Sequence, residues 1–434
     1  MNRSVRLLLI GRHFWPHGSI DSGSALTEFA CAVGRQSVDV EVVTPRYATS
    51  WPEEIVVREI PVHRPSVAPR SDWTVGRYVR HLTNYLRTHS SAFDVMMVDS
   101  IREESVAAIE ASRSTGCPVI LRCSGWGDQR DPNWWALSRA ARRCGSMGRM
   151  ADAVVAKSVV CQRALLSDGY DAKKIHRIDN GFPSQPTRSP QAKLEARNSL
   201  GRMNTDLAAD ADASVLLCVS QMSRSSGMNQ LVGAARHLIA KFPNLRIWLV
   251  GDGPHRDWMY EQLRGDGVRA SIAMPGSFCE MDEVFAAADL YLQSDDNGLD
   301  SFLPKAISNE LPVVTVDTES TRSAIVGSSV TSSSDSPTAS LPAASSAAPS
   351  SPTAESLVHW CPSPTPKNFR IGITSILNDL SSAQQKASEL RRISLRWRPL
   401  LDCVADHVKL MQRLIEQNSH LRTDPRTSPH HDDQ

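Results

Sequence analysis

The residues able to do chemistry in this chain gather in short loops that follow apolar runs. In the second half, Arg224 and Ser226 follow residues 215–219, Gly251, Asp252 and Gly253 follow residues 245–250, and residues 294–301 follow 290–293. That last loop holds Asp295, Asp296, Asn297, Gly298, Leu299, Asp300 and Ser301, and Lys305 stands one turn beyond it. In the first half the comparable loops carry Gly18 and Gly23, then Ser124 and Asp128, then Asn180. An arginine fork donates several hydrogen bonds to phosphate oxygens. Free backbone N–H groups where a helix starts, as over 298–301, suit an anion. Fixed donors of this kind stabilise a leaving group as its charge develops. Each loop alone is weak evidence. A glycine after a strand ordinarily marks a tight turn, Arg224 reads equally as a solvated loop charge, and Asp128 as a turn-capping carboxylate. Asp295, Asp296 and Asp300 would repel an anion unless a cation intervened; one of them could instead hydrogen-bond a ligand hydroxyl, or the three could form a solvated acidic loop.

Other chemistries find less support. His13 and His17 are four apart, but Pro16 and Gly18 make their surroundings a loop, and no histidine, cysteine and carboxylate spacing demands a metal. The 9 cysteines are scattered and odd in number with no C-x-x-C pair, which points to reduced, mostly buried thiols and a cytoplasmic protein. A net charge of +1 in 434 residues gives no bulk field for nucleic acid. The longest apolar run near the start, residues 7–10, is too short for a membrane span or a secretory signal.

The elements that must position these loops follow from periodicity. Residues 5–10 read as a buried strand, 25–33 as a helix and 38–43 as a strand, a βαβ unit. Strands at 94–98, 118–121, 153–156 and 174–178 continue the alternation, with a helix at 106–112. After a proline-bearing break the pattern restarts: strand 215–219, helix 229–242, and strands 245–250, 290–293 and 312–316. Strands alternating with helices imply parallel sheets covered on both faces, which bind ligands beyond the carboxyl ends of their strands. The expected organisation is a first domain over 1–185, a linker over 186–213, a second domain over 214–380, helices over 381–419 that pack back, and a disordered tail over 420–434. Residues 327–357, rich in Ser, Ala and Pro, are expected to form a disordered insert.

The ordered set of loops and strands resembles glycosyltransferase family 4, the group 1 glycosyltransferases of the GT-B fold. ADAVVAKS at 151–158, KIHRIDNG at 174–181, WLVGDGP at 248–254 and AADLYLQS at 287–294 carry the likeness, together with residues 219–224 and 312–314. The resemblance implies two Rossmann-like, doubly wound α/β domains facing across a cleft. It implies transfer of a hexosyl group, with retention, from a nucleotide-diphosphate sugar held by the second domain to a carbohydrate or lipid-linked acceptor on the first. Arg224, Ser226, Gly251, Asp252, Gly253, Gly298, Leu299, Asp300, Ser301 and Lys305 would then line the donor side, Gly18, Gly23, Ser124 and Asn180 the acceptor side, and Asp128 and Asn297 the reacting centre. No cofactor or metal is required by the family, and polysaccharide assembly is the expected setting.

Several positions depart from the pattern. Ser225-Ser226 stands where the family has a lysine before glycine, and Asn297 and Lys305 replace its two glutamates. Asn297 can still hydrogen-bond a sugar hydroxyl, whereas a protonated Lys305 cannot accept from a ribose; it could instead replace the cation lost at Ser226. The usual first-domain histidine near Ser124 is absent, leaving Asp128 as the nearest ionisable group. These losses keep open a second class of function, a GT-B protein without activity that serves as a ligand-binding or assembly subunit. Trp134 and Trp135 followed by Arg139, Arg142, Arg143 and Arg149 read either as an ordinary solvated helix face or as a basic surface for peripheral contact with the inner face of a membrane. Trp397 resembles the tryptophan of the family's terminal helix, and core packing explains it equally well.

Overall fold

A computed structural model of the chain describes residues 4–127, 130–326 and 353–423. Two parallel sheets organise it. The first contains β1 (Val5–Gly11), β2 (Val38–Val43), β3 (Glu54–Val57), β4 (Ile60–His63), β5 (Val95–Asp99), β6 (Val119–Arg122), β7 (Ala153–Ala156) and β8 (Ile175–Arg177), in the order β3-β4-β2-β1-β5-β6-β7-β8. Only β3 runs antiparallel to its neighbour, at the sheet edge. The second contains β9 (Ser214–Val219), β10 (Leu245–Val250), β11 (Ile272–Gly276), β12 (Leu290–Gln293), β13 (Val313–Val316) and β14 (His359–Cys361), in the order β11-β10-β9-β12-β13-β14. This is the doubly wound pair of α/β domains that the alternating pattern implies.

The strands are apolar on both faces because both faces are covered. Leu7 and Leu9 of β1 join one core, and Leu8 and Ile10 join the other. In β9, Val215, Leu217 and Val219 point to one layer while Leu216 and Cys218 point to its opposite. The strand order reverses direction between β1 and β5 and again between β9 and β12. At such a reversal the crossovers depart to opposite faces and leave a crevice at the strand ends. The loops that open these crevices are the ones singled out above: 12–20 after β1, 220–227 after β9 and 294–301 after β12.

The segment after β8 belongs physically to the second sheet. Helix Pro190–Met203 starts with proline in its first turn and a Ser189 cap, and its Arg197 donates to Asp289 (2.5 Å) and to the Ala287 carbonyl (3.0 Å). At the far end the chain returns to the first domain. Leu400 N–H donates to the Phe182 carbonyl and Phe182 N–H to the Arg398 carbonyl, both at 2.9 Å, and helix Leu400–Thr423 places His407 against Phe29, ring centroids 4.9 Å apart. Trp397 is 39% exposed beside Phe182, so it covers the crossing and is no core residue.

Of the stretch expected to lack fixed structure, residues 327–352 lie outside the described residues. Ala354–Leu357 instead form a 3-10 turn, pinned by Trp360 Nε1 donating to the Glu355 carbonyl at 2.8 Å. Residues 420–423 of the expected tail continue the last helix, and 424–434 lie outside the described residues.

Candidate active site

The strand-end loops of the second domain close on one another through short polar contacts. Gly227 sits so near the Ser294 carbonyl that an added Cβ would stand 1.9 Å from its oxygen, which only glycine tolerates. Gly227 N–H donates to Asp295 Oδ2 at 2.8 Å, and the Ser226 and Ser220 hydroxyls donate to the same oxygen at 3.2 and 3.3 Å. Asp295 Oδ1 takes Asn297 N–H and Nδ2, both at 2.9 Å. Gly251 lies against the Ser220 carbonyl, and Gly253 against that of Met222. Asp252 caps its own turn through Gly253 N–H at 2.8 Å. Arg224 is exposed at the loop tip, and its carbonyl accepts from Asn229 Nδ2 at 2.9 Å.

The loop at 294–301 meets the first domain directly. Gly298 takes a positive φ of 92°, buried Leu299 anchors the turn in the core, and helix Phe302–Ser308 follows. The N–H groups expected to cradle phosphate are held instead by a carboxylate of the first domain: Asp300 N–H donates to Asp21 Oδ2 at 3.0 Å and Ser301 N–H to Asp21 Oδ1 at 2.8 Å. The Ser301 hydroxyl donates to Glu28 Oε1 at 2.9 Å and lies 2.8 Å from Ser24 Oγ. Asp21, Ser24 and Glu28 share one face of helix Asp21–Gly34. Two helix starts thus face each other, and Asp21, in the first turn of its own helix, meets the N–H groups that lead into the other.

The acidic residues of this loop are each held by hydrogen bonds or an ion pair. Asp300 is paired with Lys157 and accepts from Trp126 Nε1 at 2.6 Å and Asn180 Nδ2 at 2.5 Å. Asp296 accepts from Thr318 Oγ1 at 2.6 Å. Burial works to raise the Asp300 carboxyl, but the Lys157 ammonium and these donors hold it below its ordinary value. Burial and then the Asp300 charge push Asp21 up to about 7, against the pull of its two backbone donors. Among the described residues no three His, Cys, Asp or Glu side chains gather as a metal-holding group.

Lys305 is not free to replace the cation missing at Ser226. Its Nζ pairs with Glu28 at 2.7 Å and Asp282 at 2.6 Å. A buried ammonium requires such partners, and their charge raises its proton affinity against burial, which lowers it.

In the first domain, Gly18 runs beside the Cys279 carbonyl of the second domain and Gly23 beside His17. Ser124 N–H donates to buried Asp131 at 2.7 Å, so this residue fixes the loop where a histidine was expected. Asp128 lies outside the described residues. After β1 and β2, His13, His17, Tyr47 and Trp51 form a ring cluster with neighbouring centroids 4.4–6.0 Å apart. Burial lowers His13 to about 3 and His17 to about 4, so both imidazoles are neutral.

The structure therefore brings Asn180, Asp300, Ser301, Gly298 and Lys305 to one interdomain contact. Ser226, Asn297 and the glycines at 251 and 253 lie in the adjoining loops, and Arg224 lies at their edge. Sequence reasoning missed Asp21, Glu28, Trp126 and Lys157. Lys157 carried a signal, a charge ending the apolar run AVVA, and Asp21, Ser24 and Glu28 fall at helical spacing directly after the glycine loop.

Comparison with known proteins agrees with this architecture. A glycosyl transferase 4-like domain model matches residues 22–181, and a glycosyl transferases group 1 model matches residues 213–339. No curated protein matches the chain. Among solved structures, HepE of Anabaena in complex with UDP and glucose is similar over 94% of this chain and 99% of its own, at 16% identity and a TM-score of 0.67. Sucrose-phosphate synthase of Thermosynechococcus elongatus is similar over 95% and 100%, at 15% identity and 0.68. WaaG, a glycosyltransferase involved in lipopolysaccharide biosynthesis, is similar over 93% and 99%, at 13% identity and 0.64.

Proposed function

Because the chain belongs to the group 1 glycosyltransferases of the GT-B fold, we propose that this enzyme moves a hexosyl group from a nucleotide-diphosphate sugar to a carbohydrate or lipid-linked acceptor, with retention at the anomeric carbon. In the transfer, the anomeric carbon–oxygen bond breaks with its electron pair going to the diphosphate. The acceptor hydroxyl oxygen bonds to the same carbon, and its proton passes to the leaving oxygen. The second domain's loops would hold the leaving diphosphate through the N–H groups of 298–301, with Arg224 closing over it from the loop tip and Asn297 reaching a sugar hydroxyl. Packing the two domains together excludes water that would otherwise hydrolyse the donor.

One observation carries this reading. Asp300 and Ser301 N–H already bind a carboxylate in two-pronged fashion, so the loop has the geometry of an anion receptor. HepE, similar in fold and solved with UDP-glucose, supports a nucleotide-sugar donor. The direct test is a panel of nucleotide sugars incubated with purified protein, with donor turnover and product anomer followed by NMR. Donor consumption with the anomeric configuration kept is expected. Turnover with inversion would overturn the retaining assignment, and failure of every nucleotide diphosphate to bind would overturn the donor site.

A basic surface supports an acceptor at a membrane face. Helices Asp72–His89, Glu103–Thr115 and Arg139–Gly148 lie side by side on one face of the first sheet. They expose Arg77, Arg80, Arg87, Arg139, Arg142 and Arg143, with Trp73 at 95% and Leu137 at 77% exposure among them. Arginine around exposed apolar side chains suits anionic headgroups. Among the described residues no helix is long and apolar enough to cross a membrane. Co-sedimentation with vesicles containing anionic lipid, lost at high salt, is the expected result; equal retention on neutral vesicles would contradict it.

A further inference from the structure

We propose that Asp21 is a built-in occupant of the donor's anion receptor, so that the resting chain blocks its own donor site and a nucleotide diphosphate must displace this carboxylate to bind. The inference rests on the donor reading above and deepens it.

Three observations point the same way. First, the fit is that of a ligand: each Asp21 oxygen takes one backbone N–H, at 3.0 and 2.8 Å, from consecutive residues of the other domain, 279 and 280 positions away in the chain. A phosphate oxygen pair would take the same two donors. Second, the contact is reinforced by pairs that reach across the cleft. Glu28 accepts the Ser301 hydroxyl and pairs with Lys305, while Lys157, Trp126 and Asn180 grip Asp300. Lys305, one of the residues that depart from the family pattern, is among those so engaged. Third, the position is electrostatically poor for a carboxylate. Asp21 is partly buried in the interface beside Asp300, and burial first, then the Asp300 charge, resists its ionisation. Held against burial and that charge, the Asp21 carboxylate is better ionised once the domains part and water reaches it, which favours vacating the receptor.

Outside the receptor the domains also meet where Ser19 N–H donates to the Phe278 carbonyl and Gly127 N–H to Ser320 Oγ, both at 3.1 Å, and through an exposed ion pair, Arg58 with Glu280 at 3.0 Å, of the kind that contributes little; opening must break these contacts as well. The binding-competent state is then a fraction of the resting population, and apparent affinity is reduced by that fraction.

The test is calorimetric titration of the full chain with UDP, ADP and GDP, comparing wild type with Asp21→Ala, Asp21→Asn and Arg58→Ala. Asp21→Ala is expected to bind at least about tenfold more tightly than wild type. Asp21→Asn, which keeps an acceptor oxygen but no charge, should lie between, and Arg58→Ala should stay within about twofold of wild type. Should Asp21→Ala not fold, the comparison of Asp21→Asn with wild type decides the same question. Equal affinity of wild type and the Asp21 variants, or weaker binding by them, would overturn the inference while leaving the donor site standing. Equal tightening by Arg58→Ala would also overturn it, since loosened domains and not a vacated receptor would then explain the gain. Folded protein that binds no nucleotide in any form would overturn the donor reading and this inference together.

Discussion

Two buried aspartates flank strand β12 and do opposite work. Asp289, just before the strand, accepts from Arg197 at 2.5 Å, from Lys193, and from Val215 N–H at 2.7 Å. All three partners pack within the second domain. Asp300, in the loop after the strand, is gripped by Lys157, Trp126 and Asn180, all from the first domain. The chemistry is alike, an acid buried with a cation and neutral donors. What differs is whether the partners can leave. At Asp289 they cannot without unfolding, so the cluster fixes helix Pro190–Met203 to the sheet. At Asp300 they leave whenever the domains separate, and water then replaces them. The lesson is that burial and pairing alone do not mark a structural ion pair; the body each partner rides on decides.

The contrast is broken or sharpened by substitution. Asp289→Ala should cost about 3–5 kcal/mol in denaturant unfolding, because Arg197 is left buried without its counterion. A cost under about 1 kcal/mol would erase the distinction. Asp300→Ala should cost less, about 1–2 kcal/mol, since Lys157 can regain water by domain opening. Small-angle scattering should show an expanded chain for this variant and an unchanged one for any Asp289 variant that remains folded. Lys305→Met should have a smaller effect, about 1 kcal/mol, because Asp282 is half exposed and Glu28, also partly exposed, keeps the Ser301 hydroxyl as a donor. A larger loss in thermal unfolding would make Lys305 a structural residue like Arg197.

The smallest effect is in pH. Asp21 has its folded-state pKa raised from an ordinary 3.8 to about 7. The stabilisation linked to its protonated form is therefore complete below about pH 4 and lost as pH rises through 7. Asp300, Glu28, Lys157 and Lys305 face or neighbour it, and of these Asp300 is shifted down and both lysines up, away from that window. Asp21→Asn should flatten the fall in melting temperature between pH 5 and 8; an unchanged slope would place the titration elsewhere.

Much of the fold was legible because parallel strands buried on both faces leave long apolar runs, and 153–156, 245–250 and 290–293 match Ala153–Ala156, Leu245–Val250 and Leu290–Gln293 at both ends. The edge hairpin β3–β4 was not. Its strands are four residues each, and its turn is Arg58-Glu59, with φ of 49° and 69°, where glycine or asparagine would have announced the bend. The site was legible by loop but not by partner. Nothing local in 298–305 tells that Asp300 meets Lys157 or that Lys305 meets Glu28, since each pairing depends on how two domains dock. Lys305 was for that reason read as a candidate phosphate cation, when docking already supplies it with two carboxylates.

The central claim is that a nucleotide diphosphate binds to the strand-end loops of the second domain. Hydrogen–deuterium exchange of the full chain, with and without saturating nucleotide diphosphate, tests it most directly. The account expects slowed exchange in peptides covering 220–227 and 294–301. Slowed exchange confined to the first domain, or none anywhere despite measured binding, would contradict it.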